Sequence, residues 1–214
     1  MKKLMISLCC IVVLTSLLAS YATASSPALP PENYKGPVAE RPTFQPGEYW
    51  SYERPNGEKL KWVFEGNEGN YLVFLSGSKK VRLITTLDLG QLKRIEEATG
   101  KVTWEATNPE DIRFPLWIGK TWSFPVQVKS ENLGGFVTVW VNYAVVGYKS
   151  ITVKAGDFEA FEIRREWKAQ GFTDAGEETF WYSPLVKHII KYEGEHPREL
   201  TGYKKPKRVA QQVE

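Results

Sequence analysis

The 214-residue chain is nearly without cysteine and histidine. Both of its cysteines, Cys9 and Cys10, lie within the first 24 residues, and it has two histidines in all. A domain that begins after residue 24 therefore has no disulfide, no thiol nucleophile and no thiolate ligand for zinc. The sequence also has no Gly-x-Ser-x-Gly elbow and no phosphate-binding loop, because Phe114 stands where Gly119-Lys120-Thr121 would need an earlier glycine. These absences exclude several common classes of catalytic site.

The first 24 residues have the three parts of an export signal. Lys2 and Lys3 precede an apolar run over residues 4–18, and Ala22-Thr23-Ala24 provides the small residues of a cleavage site. We predict cleavage before Ser25, a periplasmic or secreted protein, and no transmembrane segment after cleavage. An uncleaved anchor would need about 20 apolar residues in a row, and a lipid-bearing cysteine would need a small residue before it. Neither alternative fits this run.

Removal of the signal brings the net charge close to zero. The first 24 residues hold two of the chain's 28 lysines and arginines and none of its 25 acidic residues. A near-neutral domain lacks the electrostatic attraction that nucleic-acid binding requires, so no nucleic-acid partner is expected. The local exception is a basic C-terminal tail at residues 205–214. We expect this tail to be solvated, with weak contact to anionic lipid headgroups as the alternative.

The remaining chain divides into a linker and one domain. Residues 25–47 are rich in proline, which favours an extended chain. Residues 48–204 predict a single domain made of short antiparallel strands. Apolar and charged residues alternate over residues 59–65, and Asn56-Gly57 just before them is a strong hairpin signal. We predict an all-β fold, a strongly curved antiparallel sheet that is half-barrel or barrel-like, with little helix.

Details of the strand pattern refine this prediction. Residues 136–146 are apolar on both faces, which predicts cover on both faces, and Pro125 predicts an edge or a bulge in its strand. Phe161, Ile163 and Trp167 are expected to face inward. The segment around residues 109–111 is the one place where a single helical turn is expected.

No pair of titratable residues has the spacing of a catalytic pair. Glu162 and Glu166 share one strand face, about 13 Å apart between their α-carbons at 3.3 Å per residue, which is wider than glycosidase carboxylates require. His188 lies within a strand and is expected to be partly buried, whereas His196 precedes Pro197 in a turn. A site assembled from distant strands stays possible. No catalytic residue, metal ligand or cofactor is therefore predicted.

Eight tryptophans follow the signal. Large aromatic side chains fill the inside of a curved sheet efficiently, so most of them are expected in the core. A curved sheet also leaves a concave apolar face on which some tryptophans can contact a ligand. The candidate ligand-binding residues are Trp117, Trp122, Trp140 and Trp181.

Four segments of the chain resemble a known group of proteins. These are Phe114 to Trp122, Pro46-Gly47-Glu48-Tyr49-Trp50, Ala155 to Phe161 and Trp181-Tyr182-Ser183-Pro184. Together they resemble the TapB-like group, exported bacterial domains of unknown function. The resemblance implies a β-rich, half-barrel-like domain in the periplasm or outside the cell. It implies no activity, because the group has no catalytic signature to carry over.

The sequence as a whole predicts an exported binding domain that holds a lipid or acyl chain on a concave apolar face. Whether the protein is an enzyme stays open, and the motifs favour a non-enzymatic protein. One alternative is a structural or assembly partner in the envelope that pairs through exposed strand edges. The other is a hydrolase or carbohydrate-active enzyme, which two convergent carboxylates or a carboxylate beside His188 would support.

Overall fold

The computed structural model of the chain describes residues 29–77, 80–131 and 134–204. The predicted signal and the basic tail lie outside the described residues. Every regular element in the described ranges is a strand, so the predicted all-β class is confirmed. The strands are β1 (Val38–Ala39), β2 (Tyr49–Glu53), β3 (Lys59–Glu68), β4 (Tyr71–Ser76), β5 (Val81–Thr86), β6 (Gln91–Glu96), β7 (Val102–Thr107), β8 (Leu116–Trp117), β9 (Thr121–Ser130), β10 (Val137–Val153), β11 (Gly156–Ala169), β12 (Ala175–Ser183), β13 (His188–Glu193) and β14 (Arg198–Lys204).

Twelve of these strands close into one antiparallel barrel, in the order β10-β11-β12-β13-β14-β2-β3-β4-β5-β6-β7-β9. Most neighbours in the barrel are also neighbours in the chain, because short hairpin turns connect them. At the turn between β2 and β3, Gly57 has a φ of 81°, which is the conformation that an Asn-Gly turn provides. β1 and β8 form a separate two-stranded sheet.

The inward face of the barrel carries the hydrophobic core. Trp50 and Tyr52 of β2, Phe64 of β3 and Phe74 of β4 are all buried, as is Phe161 of β11. The segment that precedes the barrel contributes to this core, since the Phe44 ring lies 5.4–5.9 Å from the rings of Trp50, Phe64 and Phe74. Residues 29–47, which the sequence assigns to a linker, therefore pack against the barrel over part of their length.

The long hairpin of β10 and β11 extends past its neighbours and contacts β14. The backbone N–H of Ala155 at its tip donates to the carbonyl of Leu200 at 3.0 Å, and Lys154 Nζ lies 2.8 Å from Glu53 Oε1. Phe158 then packs edge-on against Tyr203. The barrel is thus braced across β12 and β13 by a hairpin whose tip bonds to the far side.

Two local expectations are wrong. The outward face of β10 is left largely open, because Trp140 and Val146 are exposed there, as is Phe136 just before the strand. β10 contributes to the core through its inward face alone. β9 and β11 pair with its two edges and do not cover its outer side. No helical turn forms at residues 109–111 either, where the Asp111 carboxylate binds the backbone of β6 and a side chain of β10.

The prediction of an edge or a bulge at Pro125 is met only locally, because β9 pairs with strands on both sides and neither pairing shifts register. Pro125 pairs with Trp140 of β10, but β7, on the other side of β9, pairs only with residues 127–130. Pro125 therefore has a paired strand on one side only, which is the kind of position where a sheet tolerates proline.

Candidate functional site

The two ends of the barrel differ in construction. One end, which we call the closed end, is covered by residues 108–120 and by Phe44, and Ile112 and Leu116 are fully buried there. In the part of the chain that the structure describes, the opposite end, which we call the mouth, is formed by hairpin connections, among them residues 54–58, 97–101, 170–174 and 194–197. Both ends of the described barrel chain, at Tyr49 and Lys204, lie at the closed end, where they pair with each other.

Burial of the inward-facing side chains falls from the closed end towards the mouth. Along β3, Phe64 is buried, whereas Trp62, which is nearer the mouth, is only partly buried. Along β11, Ile163 is buried and Trp167, nearer the mouth, is only partly buried. The same partial burial is seen for other inward-facing apolar residues near the mouth. These are Leu60, Trp104, Phe124, Val128, Val139 and Tyr192. These side chains pack against the core and retain some solvent access near the mouth, and we call the part of the barrel interior that they border the lumen.

Three arginines project into this lumen. Arg94 of β6 pairs with Leu83 and Trp104, so it shares their inward face. Arg198 of β14 pairs with Tyr192, and its guanidinium carbon lies 3.4 Å from the centre of that ring. Arg165 is the third, on β11. β6 and β14 lie on opposite walls of the barrel, so Arg94 and Arg198 face the lumen from opposite sides.

Arg165 belongs to a polar network between the mouth and the closed end. It pairs with Tyr143 and Glu178 in the sheet, and its guanidinium lies 2.5 Å from Glu178 Oε2. The Tyr143 hydroxyl donates to Asp111 Oδ1 at 3.0 Å, and Asp111 Oδ2 accepts the backbone N–H of Gln91 at 3.3 Å. Both carboxylates are held by donors. Such a network orders this part of the barrel interior and occupies both carboxylates with donors.

Lys120 anchors the cover of the closed end. Its side chain is completely buried, and its ammonium donates to the carbonyls of Arg113 and Pro115 at 2.7 and 2.8 Å. Burial, together with the charge of Arg113, lowers the pKa of Lys120 from 10.5 to about 8. The ammonium thus ties one segment of the cover to the start of β9.

The Lys120→Met variant should reveal this lowered pKa as a pH dependence of stability. Between pH 8 and 10.5 the unfolded chain binds more protons at Lys120 than the folded chain does, so this residue makes the folded protein more stable as pH rises. We expect the free energy of unfolding of the natural protein to increase over that range relative to Lys120→Met. Urea titrations at several pH values measure this, with Lys93→Met, at an exposed lysine, as the control. A difference that stays constant with pH would contradict the assignment.

His188 lies in an aromatic pocket near the closed end. Its ring centre is 5.0 Å from that of Trp50, and Nδ1 lies 2.8 Å from the hydroxyl of Tyr52. That hydroxyl also donates to the carbonyl of Ile189 at 2.8 Å. Burial first, with the charge of Arg198, lowers the pKa of His188 to about 4. In the described part of the chain no carboxylate pairs with His188, so the arrangement that would support a hydrolase is not met at this residue.

The four tryptophans predicted to bind ligand lie in different surroundings. Trp122 faces inward and stacks on Tyr143 with ring centres 4.8 Å apart. Trp117 lies in β8 and contacts the Tyr34 ring edge-on. Trp181 is buried on the outward face of β12 with Lys191 over its ring, and Trp140 is exposed on the outward face of β10. The structure does not bring these four residues to a common surface.

The outside of the barrel has a separate depression. It has a volume of about 520 Å³ and crosses β9, β10 and β11, with Ser123, Asn142, Val146, Arg164 and Glu166 among its lining residues. Apolar side chains, among them Trp122 and Val146, line it together with these polar ones, and the depression is open to solvent. In the described ranges no three His, Cys, Asp or Glu residues are grouped as a metal site would require, and none of the described residues forms a helix able to span a membrane.

Sequence reasoning missed the lumen residues for identifiable reasons. Arg165 follows the same alternation as Phe161, Ile163 and Trp167, so its inward position was available from the pattern. Arg94 was not, because the register shifts on both sides of β6, between Ile84 and Thr85 and again between Arg94 and Ile95. Each shift reverses which face a residue occupies.

Comparison with solved structures places this barrel among known folds. The hypothetical lipoprotein YmcC from Escherichia coli K12 aligns over 78% of this chain and 92% of its own, with 16% identity and a TM-score of 0.53. The chain has a YmcC-like fold. Two further structures are more distant. A candidate lipoprotein from Parabacteroides distasonis ATCC 8503 has 10% identity and a TM-score of 0.46, and the alignment covers 78% of this chain and 99% of that one. A candidate exported protein with YmcC-like fold from Bacteroides fragilis NCTC 9343 has 13% identity and a TM-score of 0.45, and the alignment covers 78% of this chain and 100% of that one.

Sequence comparisons add no family. No family model matches the chain, and no curated protein matches it. The resemblance to the TapB-like group accordingly stays a prediction from the sequence.

Proposed function

We propose that this protein is an exported, non-enzymatic binding protein that holds the hydrocarbon of a lipid or acyl chain in the barrel lumen. The observation that carries the proposal is the fall in burial along the inward face. Trp62, Trp104 and Trp167 face inward near the mouth and yet retain solvent access. Apolar side chains around a solvent-accessible space gain stability when a ligand displaces that water.

The energetic scale fits an acyl chain. Burial of one methylene contributes about 0.8 kcal/mol, so eight methylenes contribute about 6 kcal/mol before the cost of ordering the chain. That gain is enough for a dissociation constant in the micromolar range or somewhat weaker. A wall of indole rings suits a flexible chain, because it offers large apolar area without requiring one fixed ligand shape.

Export is supported from two directions. The sequence predicts a cleaved signal over residues 1–24, and the described domain has the fold of a protein named a hypothetical lipoprotein. A barrel without disulfides relies on strand pairing and on its aromatic core for stability outside the cytosol.

A fatty acid brominated in mid-chain tests the proposal, because bromine quenches tryptophan fluorescence on contact. We expect saturable quenching in the natural protein, a smaller quenched fraction in Trp104→Phe, and an unchanged quenched amplitude in Trp140→Phe. Trp104 lines the mouth, whereas Trp140 lies on the outer surface. Absence of quenching at saturating ligand, or quenching that only Trp140→Phe removes, would contradict binding in the lumen.

A second candidate function, an assembly partner in the envelope, rests on the outward face of β10. Phe136, Trp140 and Val146 are exposed there, and apolar groups of this size on an outer surface favour contact with another molecule. The barrel is closed, so such contact would use this face rather than a barrel strand edge. Trp140→Glu should abolish cross-linking to a defined envelope partner while leaving lipid quenching intact.

A further inference from the structure

The arginines of the lumen differ in whether their charge is balanced. Arg165 is paired with Glu178, and Arg54, which follows β2 at the mouth, is paired with Glu58 at 3.0 Å. Arg94 instead donates to the neutral side chain of Gln91 at 3.0 and 3.2 Å. Arg198 contacts the Tyr192 ring and the carbonyl of His196. Across residues 29–77, 80–131 and 134–204, no carboxylate pairs with Arg94 or Arg198.

Arg94 and Arg198 are close enough to oppose each other's charge. Desolvation, followed by the charges of Arg198 and Arg54, lowers the pKa of Arg94. Arg94 is exposed and Arg198 is partly buried, so water screens part of their repulsion. Two guanidinium groups that face each other from opposite walls without a counter-charge are still electrostatically unfavourable. Such an arrangement is relieved by an anion placed between them, and a planar guanidinium binds carboxylate or phosphate oxygens with two parallel hydrogen bonds.

The apolar wall lies directly beside these charges. Leu83 and Trp104 flank Arg94 in the sheet, and Tyr192 lies beneath Arg198. A ligand that met both features would combine a hydrocarbon chain with an anionic end. The end would bond to the arginines while the chain packed against the aromatic side chains of the same wall.

We propose that Arg94 and Arg198 bind the anionic headgroup, carboxylate or phosphate, of a single-chain amphiphile whose hydrocarbon occupies the lumen. This inference rests on the proposed function and specifies its ligand class. Arg94 and Arg198 fix the position of the headgroup, and Arg165, held by Glu178, keeps the wall beside it in place.

Three probes of equal chain length test the inference: dodecanoate, dodecyl phosphate and 1-dodecanol. We expect titration calorimetry with the natural protein to give a dissociation constant at least about tenfold lower for one of the two anions than for the alcohol. The alcohol cannot make the charge-assisted hydrogen bond, which contributes about 1.5–3 kcal/mol. The tighter of the two anions identifies the source of the headgroup. The double variant Arg94→Gln/Arg198→Gln should bind all three probes equally, and Arg94→Lys/Arg198→Lys should recover part of the preference.

Arg82→Gln is the matched control. Arg82 lies on the outward face of β5, where it pairs with Glu97 and Glu68, so its loss should leave the preference for anions unchanged. The double glutamine variant should also unfold at a temperature no lower than that of the natural protein, because removing two like charges relieves repulsion. This separates loss of binding from loss of the fold.

The possible outcomes distinguish the two proposals. If all three probes bind with similar affinity to the natural protein, the headgroup assignment is overturned and the lumen proposal stands. If none of them binds, the lumen proposal itself fails, and the headgroup assignment fails with it. If the preference for an anion survives in the double glutamine variant, the anion binds elsewhere and the assignment of Arg94 and Arg198 is overturned.

Discussion

Replacing Trp122 by alanine should lower the free energy of unfolding by about 3–5 kcal/mol, the range observed when a large aromatic side chain is removed from a packed core. Trp122 is 2% exposed. Its indole stacks on Tyr143 with an interplanar angle of 4°, and its Nε1 donates to the carbonyl of Glu110 at 2.9 Å. The variant therefore loses a core contact and a bond to the cover of the closed end at once. Guanidinium denaturation followed by circular dichroism measures the loss.

Trp140 provides the matched comparison. It is 52% exposed and lies on the outward face of the adjacent strand, so Trp140→Ala should cost less than about 1 kcal/mol. Trp122→Phe, which keeps an aromatic ring but loses the bond to Glu110, should fall between the two. Equal losses in Trp122→Ala and Trp140→Ala would show that the inward and outward faces are assigned incorrectly.

Acidification from pH 6.5 to pH 4 should destabilise the protein by up to about 3 kcal/mol through His188 alone. Burial lowers the pKa of His188 to about 4 in the folded chain, against 6.5 for an exposed imidazole. Between these values the unfolded chain binds more protons, so stability decreases as pH falls. Above pH 6.5 the imidazole is neutral in both states and the contribution is complete. The carboxylates add their own pH dependence, so a comparison of variants is required.

His188→Gln isolates this contribution. The difference in free energy of unfolding between the natural protein and His188→Gln should shrink as pH falls from 6.5 to 4. His196→Gln, at the exposed histidine of the turn before β14, should run parallel to the natural protein throughout. A difference between the natural protein and His188→Gln that does not change with pH would place His188 in contact with solvent.

The fold class could be predicted because strand alternation and turn residues are local signals. Asn56-Gly57 specifies its hairpin whatever lies elsewhere in the chain, and the alternation of Phe161, Ile163 and Trp167 marks one face of β11 directly. Closure of the sheet into a barrel was less accessible. It depends on the pairing of β9 with both β7 and β10, and on a long hairpin whose tip contacts β14. Neither of these long-range contacts can be recognised from a single stretch of sequence.

The site was harder to predict because residue type alone does not separate core from lumen. Trp122 and Trp104 are both inward-facing, yet only the second lies near the mouth with solvent access. Depth along the barrel decides this difference, and depth follows from which connections cover which end. The inward positions of the arginines were missed for a related reason, because an arginine in a short strand is ordinarily assigned to the solvent face.

Both ends of the described barrel, Tyr49 and Lys204, lie at the closed end, and this has a consequence for how the protein can be held. A tether, a fusion partner or a surface attached through residues 29–47 or beyond Lys204 would lie opposite the mouth. An attachment at this pole would leave the mouth at the other pole unobstructed. The hairpins around the mouth could likewise vary in length and sequence, and so in selectivity, while the attached pole stayed the same.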